Sequence, residues 1–251
     1  MDTSLQLILI ALIAFGACFI QRVSGFGFGI FAMTFLPYVL PLYTEANALS
    51  TMLSMLMSLA VAARMFRDIN WKNLVFPMIG NMAFIFITVN FMKGQGDALL
   101  RMLLGAALIL LSIYFLVFSK KIHIRPTWYG GLICGCLSGI LGGLFSMGGP
   151  PVVIYYMESE QDTKHYMATI QAYFTISNIY SICVKVAAGF VTKNVIVYFA
   201  VGVIGMALGL WLGGRVFDRL DGKKIKKYVY IFMAVSGAMN IVTAALDMLS
   251  A

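Results

Sequence analysis

The sequence predicts an all-α polytopic membrane protein made of two inverted-topology repeats. Each repeat starts with a discontinuous Gly-rich hairpin and continues through three transmembrane helices. Three observations lead there. The 251 residues are 61% hydrophobic and 11% charged, about half the charge of an ordinary soluble domain. The apolar residues gather in ten stretches joined by short loops, which leaves no room for a separate soluble domain. A glycine-rich motif also occurs twice. Ser24-Gly25-Phe26-Gly27-Phe28-Gly29-Ile30-Phe31-Ala32-Met33, closed by Pro37, reappears 114 residues later as Ser138-Gly139-Ile140-Leu141-Gly142-Gly143-Leu144-Phe145-Ser146-Met147, closed by Pro151. In lipid, unwound backbone is tolerated only where protein buries it or a polar cavity takes it up. Matched breaks in two halves of a chain point to a transporter's binding site.

In chain order the apolar stretches run 5–23, 28–41, 46–63, 72–92 and 98–118. Beyond a basic loop they run 127–143, 144–157, 167–190, 193–214 and 228–248. A crossing takes about 20 residues at 1.5 Å each. The stretches 28–41 and 144–157 are too short for that, and each follows or overlaps a glycine motif. They read as the return arms of hairpins, 5–41 and 127–157, whose tips lie inside the bilayer. The remaining six stretches supply three crossing helices per repeat. The N-terminal repeat is then 1–119, the C-terminal repeat 127–251, and 120–126 a cytoplasmic linker, all in one integral membrane domain.

Charge placement sets the orientation. Arg64, Arg67 and Lys72 share one loop, Lys120, Lys121 and Arg125 a second, and Arg215, Arg219, Lys223, Lys224, Lys226 and Lys227 a third. Basic loops stay cytoplasmic. All three do so if both hairpins enter and leave on one side; with outright crossings the third loop lands outside. The first repeat then starts outside and the second inside.

The net charge of +8 marks these loops and does not call for a nucleic-acid partner. The run Leu5–Ile20 does not read as a cleaved signal, because Asp2 and no Lys or Arg precede it. Cys18, Cys134, Cys136 and Cys183 all lie in apolar stretches, which suits packing and gives no disulfide framework. No metal or cofactor is expected. All ten acids fall in predicted loops or at the ends, as do His123 and His165, so no buried acid is expected to carry a coupling proton.

The breaks, above all Gly142-Gly143-Leu144-Phe145-Ser146-Met147-Gly148-Gly149-Pro150-Pro151, resemble the sulfite exporter TauE/SafE family. Gln21-Arg22-Val23-Ser24-Gly25-Phe26-Gly27-Phe28-Gly29 is similar to the first motif of one branch of it, though it lacks the adjacent glycines common elsewhere in the family. The likeness covers essentially the whole chain, including the small residues Gly205, Gly209, Gly213 and Gly214. It implies a secondary transporter of the bacterial inner (plasma) membrane, multi-pass in the bilayer. Its substrate would be a small sulfur-containing anion: sulfite, thiosulfate or an organosulfonate such as sulfoacetate. Members work outward or inward, and a homo-oligomer is compatible with the resemblance.

The residues themselves suit an anion. Glycines expose backbone N–H groups, and half-helix N-termini after Gly29 and Pro151 would add unpaired donors and partial positive charge. Pro150 and Pro151 suit a helix start. Close helix packing through small residues is the plainer reading of a single motif. Arg22, near the first hairpin's tip, is a costly cation at depth, and its planar fork matches two sulfonate oxygens; Gln21 adds a neutral hydrogen bond. Gln171, Asn178 and Lys185, spaced by seven, share one helical face, with Lys185 expected to reach the membrane interface. Ser146 is a hydroxyl donor, and Ser50, Thr51 and Ser54 are lesser ones. The candidate substrate-binding residues are therefore Gln21, Arg22, Gly25, Phe26, Gly27, Phe28 and Gly29 at the first break and Gly143, Ser146, Met147, Gly148, Gly149 and Pro150 at the second, with Gln171 and Asn178.

An intramembrane hydrolase using Ser138 or Ser146 would need a base within reach, and no histidine lies in an apolar stretch. The expectation is therefore not an enzyme. A passive small-anion channel and a carrier of small carboxylates stay open beside the sulfur-anion carrier.

Overall fold

A computed structural model of the chain describes residues 3–24, 27–118, 124–160, 162–216 and 222–250. Gly25 and Phe26 of the first motif lie outside the described residues, as do Asp2, Lys120, Lys121, His123, Asp218, Arg219 and Asp221. The described residues form ten α-helices and no strand: α1 (Thr3–Ser24), α2 (Phe28–Val39), α3 (Tyr43–Arg64), α4 (Trp71–Met92), α5 (Asp97–Ile113), α6 (Trp128–Phe145), α7 (Gly149–Ser159), α8 (Thr163–Ala187), α9 (Lys193–Val216) and α10 (Gly222–Ser250). A 3₁₀ turn at Phe66–Asp68 precedes α4, and α5 finishes in a π-helical turn at Tyr114–Phe118.

Each apolar stretch of the sequence corresponds to one helix. Seven of these (α1, α3, α4, α5, α6, α9 and α10) are long and apolar enough to cross a membrane. The 12 residues of α2 and 11 of α7 span about 18 and 16 Å, short of the roughly 30 Å of hydrocarbon. At 25 residues α8 has the length. It falls short in apolarity because Thr169, Gln171, Thr175, Ser177, Ser181 and Lys185 are polar and buried.

The element order long, short, long, long, long occurs twice. α7 starts 121 residues after α2, α8 120 after α3, and α9 122 after α4. This spacing differs from the 114 residues separating the sequence motifs by about two helical turns. The physical reason lies in the second motif. Gly139 and Gly143 stay helical inside α6, and the chain unwinds only at Ser146–Gly148. The glycines are consumed by packing. A Cβ on Gly139 would come within 2.5 Å of the Asn81 carbonyl oxygen, and one on Gly143 would overlap Thr88 Oγ1. The expected boundary between 127–143 and 144–157 therefore moves to Ser146.

The residues separate into two compact units. One holds α1, α2, α3 through Ser50, α5, α9 and α10; the other holds α3 from Thr51, α4, α6, α7 and α8. Each unit thus packs a hairpin from one half of the chain on the fourth helix of the other half. In the first unit α1 lies on α9, where Gly205 and Gly209 let the helices close on the Ala11 and Phe15 carbonyls. Gly16 leaves room for the Phe31 ring, which brings α2 back along α1. Gln6 Nε2 donates to the Val39 carbonyl at 3.0 Å, so the hairpin starts and ends at one place. Asp97 accepts from the Tyr43 amide at 3.1 Å at the starts of α5 and α3.

The second unit repeats the pattern. Trp128, opening α6, lies with its ring centroid 6.0 Å from that of Phe76, and Asn73 Nδ2 donates to Glu160 Oε1 at 2.6 Å just after α7. Entry and exit of α6–α7 therefore both meet the first turns of α4. Pro77 has no N–H to give the Asn73 carbonyl four residues back; the Tyr156 hydroxyl of α7 donates to that carbonyl instead, at 3.4 Å. At the same end Lys164 pairs with Asp68 at 3.1 Å, His165 Nδ1 donates to the Asp68 carbonyl at 2.8 Å, and the Asn70 amide donates to Thr169 at 2.9 Å.

Two expectations are corrected. Glu45 is not a loop acid: it sits in the first turn of α3, 3% exposed, accepting from Thr192 Oγ1 at 2.7 Å. The helix N-terminus, which favours an anion, and the Thr192 hydroxyl hold it there, so the described residues do include a buried carboxylate. Lys185 does not reach an interface either. It is fully buried, because its Nζ turns inward to Thr51 of α3.

Candidate functional site

The unwound segment Ser146–Gly148 is gripped from two sides. Ser146 ends α6 in the left-handed conformation (φ 58°). Its amide closes on the Gly142 carbonyl at 3.0 Å and the Met147 amide on Leu141 at 3.1 Å. Two residues later α7 starts, with Pro150 and Pro151 in its first turn, where a missing N–H costs nothing. The half-helix begins at Gly149, ahead of the prolines, rather than after Pro151.

One grip is a buried polar cluster around Ser138 of α6. Ser138 Oγ donates to the Gly148 carbonyl at 2.6 Å. It accepts from the Tyr173 hydroxyl at 3.0 Å and from Asn81 Nδ2 at 3.3 Å. Ser177 Oγ in turn donates to Asn81 Oδ1 at 2.7 Å. Three helices thereby fix one carbonyl of the break. Ser138 is surrounded by an amide, a phenol and a carbonyl, an arrangement that orients backbone and gives a nucleophile no base.

The other grip comes from α3. The Thr51 and Ser146 hydroxyls share a hydrogen bond of 3.0 Å, and Lys185 Nζ donates to Thr51 Oγ1 at 2.5 Å. One turn on, Asn178 Nδ2 reaches Ser54 Oγ at 3.4 Å. Asn178 and Lys185 thus present one face of α8 to α3, as their spacing predicts, and Gln171 on the same face is buried, 2% exposed.

The predicted site residues are distributed as follows. Ser146, Gly148, Gly149 and Asn178 are half-buried around the second break, and Met147 and Pro150 are buried beneath it. Gly143 faces Thr88 and Ile85 of α4, where packing accounts for it. The first-motif residues belong to the other unit. There Gln21 is buried and Arg22 exposed on the last turn of α1, and Gly27 starts α2 with φ 110°. Phe28 and Gly29 are buried in the first turn of α2. Sequence reasoning missed Asn81, Tyr173 and Ser177. The available signal was Asn81 in the middle of the stretch 72–92, flanked on both sides by apolar residues, since a polar side chain at that depth must find a partner.

The backbone at Ser146 gives a test of the break itself. A β-branched residue is strained at positive φ by about 1–2 kcal/mol, and the Thr51 bond adds roughly another 1. Ser146→Val is therefore expected to lower stability by about 2–3 kcal/mol. Ser146→Gly keeps the conformation and loses only the hydroxyl, so it should stay within about 1 kcal/mol of wild type. Thermal unfolding of both variants in detergent measures the difference; equal losses would mean that Ser146 is not held at positive φ.

The sulfite exporter TauE/SafE family model matches residues 10–239. No curated protein and no solved structure matches the chain. The matched span takes in both breaks, the Ser138 cluster, all of α2 to α9 and most of α1 and α10. With its membrane-length helices and its two broken ones, the chain belongs to the sulfite exporter TauE/SafE family of membrane transporters.

Proposed function

We propose that the protein is a secondary carrier of a small sulfur-containing anion (sulfite, thiosulfate or an organosulfonate such as sulfoacetate). It works across the bacterial inner membrane by alternating access. The observation carrying this reading is a broken helix in each half of a chain from a sulfite-exporter family. Broken helices supply backbone N–H groups and helix-end charge where an anion can be held without lipid contact. The two repeats run in opposite senses across the bilayer, the arrangement that the positive-inside distribution of the loops favours. Gln21, Arg22 and Gly25–Gly29 serve the substrate at the first break, and Ser146–Pro150, Gln171 and Asn178 at the second, with Gly143 left to helix packing. Arg22 offers two parallel N–H groups to two oxygens of the anion.

Counterflow of labelled organosulfonate in proteoliposomes, competed with sulfite, thiosulfate, sulfate and matched carboxylates, tests the proposal. Saturable counterflow inhibited by the sulfur anions is expected, with Arg22→Ala losing about tenfold or more. Flux that does not saturate would make the protein a channel. Inhibition by carboxylates alone would overturn the substrate class, and undiminished counterflow in Arg22→Ala would remove that residue from the site.

A further inference from the structure

The proposed function leaves one group without a task. Lys185 lies on the last turn of α8 with none of its surface exposed. Its Nζ donates to Thr51, and among the described residues no carboxylate pairs with it. Lysines near helix ends ordinarily extend to the headgroups; this one points into the helix bundle of its unit. An ammonium carries three N–H donors, and a hydroxyl takes up one without supplying charge. A buried cation is strongly disfavoured unless a counter-charge meets it. One turn earlier, on the same face of α8, Ser181 is buried and its Oγ has no hydrogen-bond partner among the described residues. From Thr51 the hydrogen bonds continue to Ser146, the left-handed residue that opens the break. The lysine ammonium and the Thr51 and Ser146 hydroxyls thus collect beside unwound backbone, with Ser181 one turn back along α8, and among the described residues no carboxylate pairs with the lysine.

We propose that Lys185, Ser181, Thr51 and Ser146 form the anion-binding centre of the carrier. The lysine ammonium takes the charge of the substrate, and the hydroxyls take its remaining oxygens. The inference rests on the proposed transport of sulfur anions and assigns that anion's charge partner in the second unit. A compact ammonium with three divergent donors suits a three-oxygen head. In this state Lys185, Thr51 and Ser181 are buried, and of the four only Ser146 is partly exposed. The centre opens only if the break or α8 moves, which is the movement alternating access requires.

Thermal unfolding of the purified protein with sulfite, thiosulfate and acetate at constant ionic strength, together with sulfite counterflow, tests this on wild type, Lys185→Met, Lys185→Arg and Thr51→Val. Wild type is expected to be stabilised saturably by sulfite or thiosulfate. Lys185→Met should fold with an unliganded melting temperature no lower than wild type, since it removes an uncompensated charge. It should lose the anion-induced shift, with counterflow down by about 30-fold or more. Lys185→Arg should keep part of both. Thr51→Val should weaken half-saturation by about five-fold. An unchanged shift and unchanged counterflow in Lys185→Met would overturn the proposal while sparing the transport reading. If Lys185→Met does not fold, unchanged half-saturation in Thr51→Val overturns it equally. Stabilisation by acetate alone, lost in Lys185→Met, would keep the centre and overturn the sulfur-anion reading. No shift with any anion in wild type would overturn both.

Discussion

Gly135→Leu is expected to abolish stable folding of the unit that holds α4 and α6. Gly131, Gly135, Gly139 and Gly143 recur every four residues and make one bare stripe along α6. α4 lies directly on it: a Cβ on Gly135 would fall on the Pro77 carbonyl oxygen, and one on Gly80 would come within 2.5 Å of the Leu132 carbonyl oxygen. Two backbones in contact have no side chain that can turn aside, so the helices must separate to admit the new atoms. Overpacking ordinarily costs about 1–3 kcal/mol. Here the parted helices also lose the hydrogen bonds between Asn81, Ser138 and Ser177. A loss of about 4 kcal/mol or more is expected, enough to remove most of a membrane protein from the folded pool. Gly96→Ala is the control, because nothing lies within 4 Å of that position and its φ is −72°; it should change stability by less than about 0.5 kcal/mol. Size-exclusion profiles and thermal unfolding in detergent read both. A Gly135→Leu protein that melts with wild type would mean that α4 and α6 are not this close.

Much of the fold was legible because hydrophobic length is a strong signal. Every apolar stretch became a helix, and the two short stretches became α2 and α7. Less legible was the meaning of glycine, which serves unwinding and close packing equally well. In the second motif Gly139 and Gly143 pack α6 on α4, and the break falls three residues beyond, where Ser146 adopts positive φ beside Gly148 and the prolines. A doublet of glycines locates the neighbourhood of a break but leaves its residue open. Burial of charge was the other gap. Glu45 and Lys185 both stand near helix ends, where a chain read alone places them in water or among headgroups. What buries them is a partner far along the chain, Thr192 for Glu45 and Thr51 for Lys185, and no spacing rule reaches that far. The seven-residue spacing of Asn178 and Lys185 did identify their common face, because periodicity within one helix needs no knowledge of the rest.

Ser138→Ala is expected to impair transport more than its place inside the continuous helix α6 suggests. The hydroxyl donates to the Gly148 carbonyl, and it also receives Tyr173 and Asn81. Removing it leaves one carbonyl, one phenol and one amide N–H short of a partner in a dry interior. Each buried polar group left unpaired costs about 1–3 kcal/mol. Partial re-pairing of Asn81 with Ser177 limits the total to about 3 kcal/mol. Tyr173→Phe removes a single donor and leaves Ser138 its other two bonds, so a loss near 1 kcal/mol is expected. The break feels the two changes differently. Ser138→Ala frees the Gly148 carbonyl, and with it the peptide unit that starts α7, so counterflow should fall by about tenfold or more even in protein that remains folded. Tyr173→Phe leaves that carbonyl held and should keep counterflow within about threefold of wild type. The ratio between the two variants, measured on folded material in proteoliposomes, is the decisive quantity. If both lose transport in proportion to their loss of stability, Ser138 serves the core and not the break. If Ser138→Ala loses transport well beyond its stability change, the geometry of Ser146–Gly148 is what the carrier's cycle depends on.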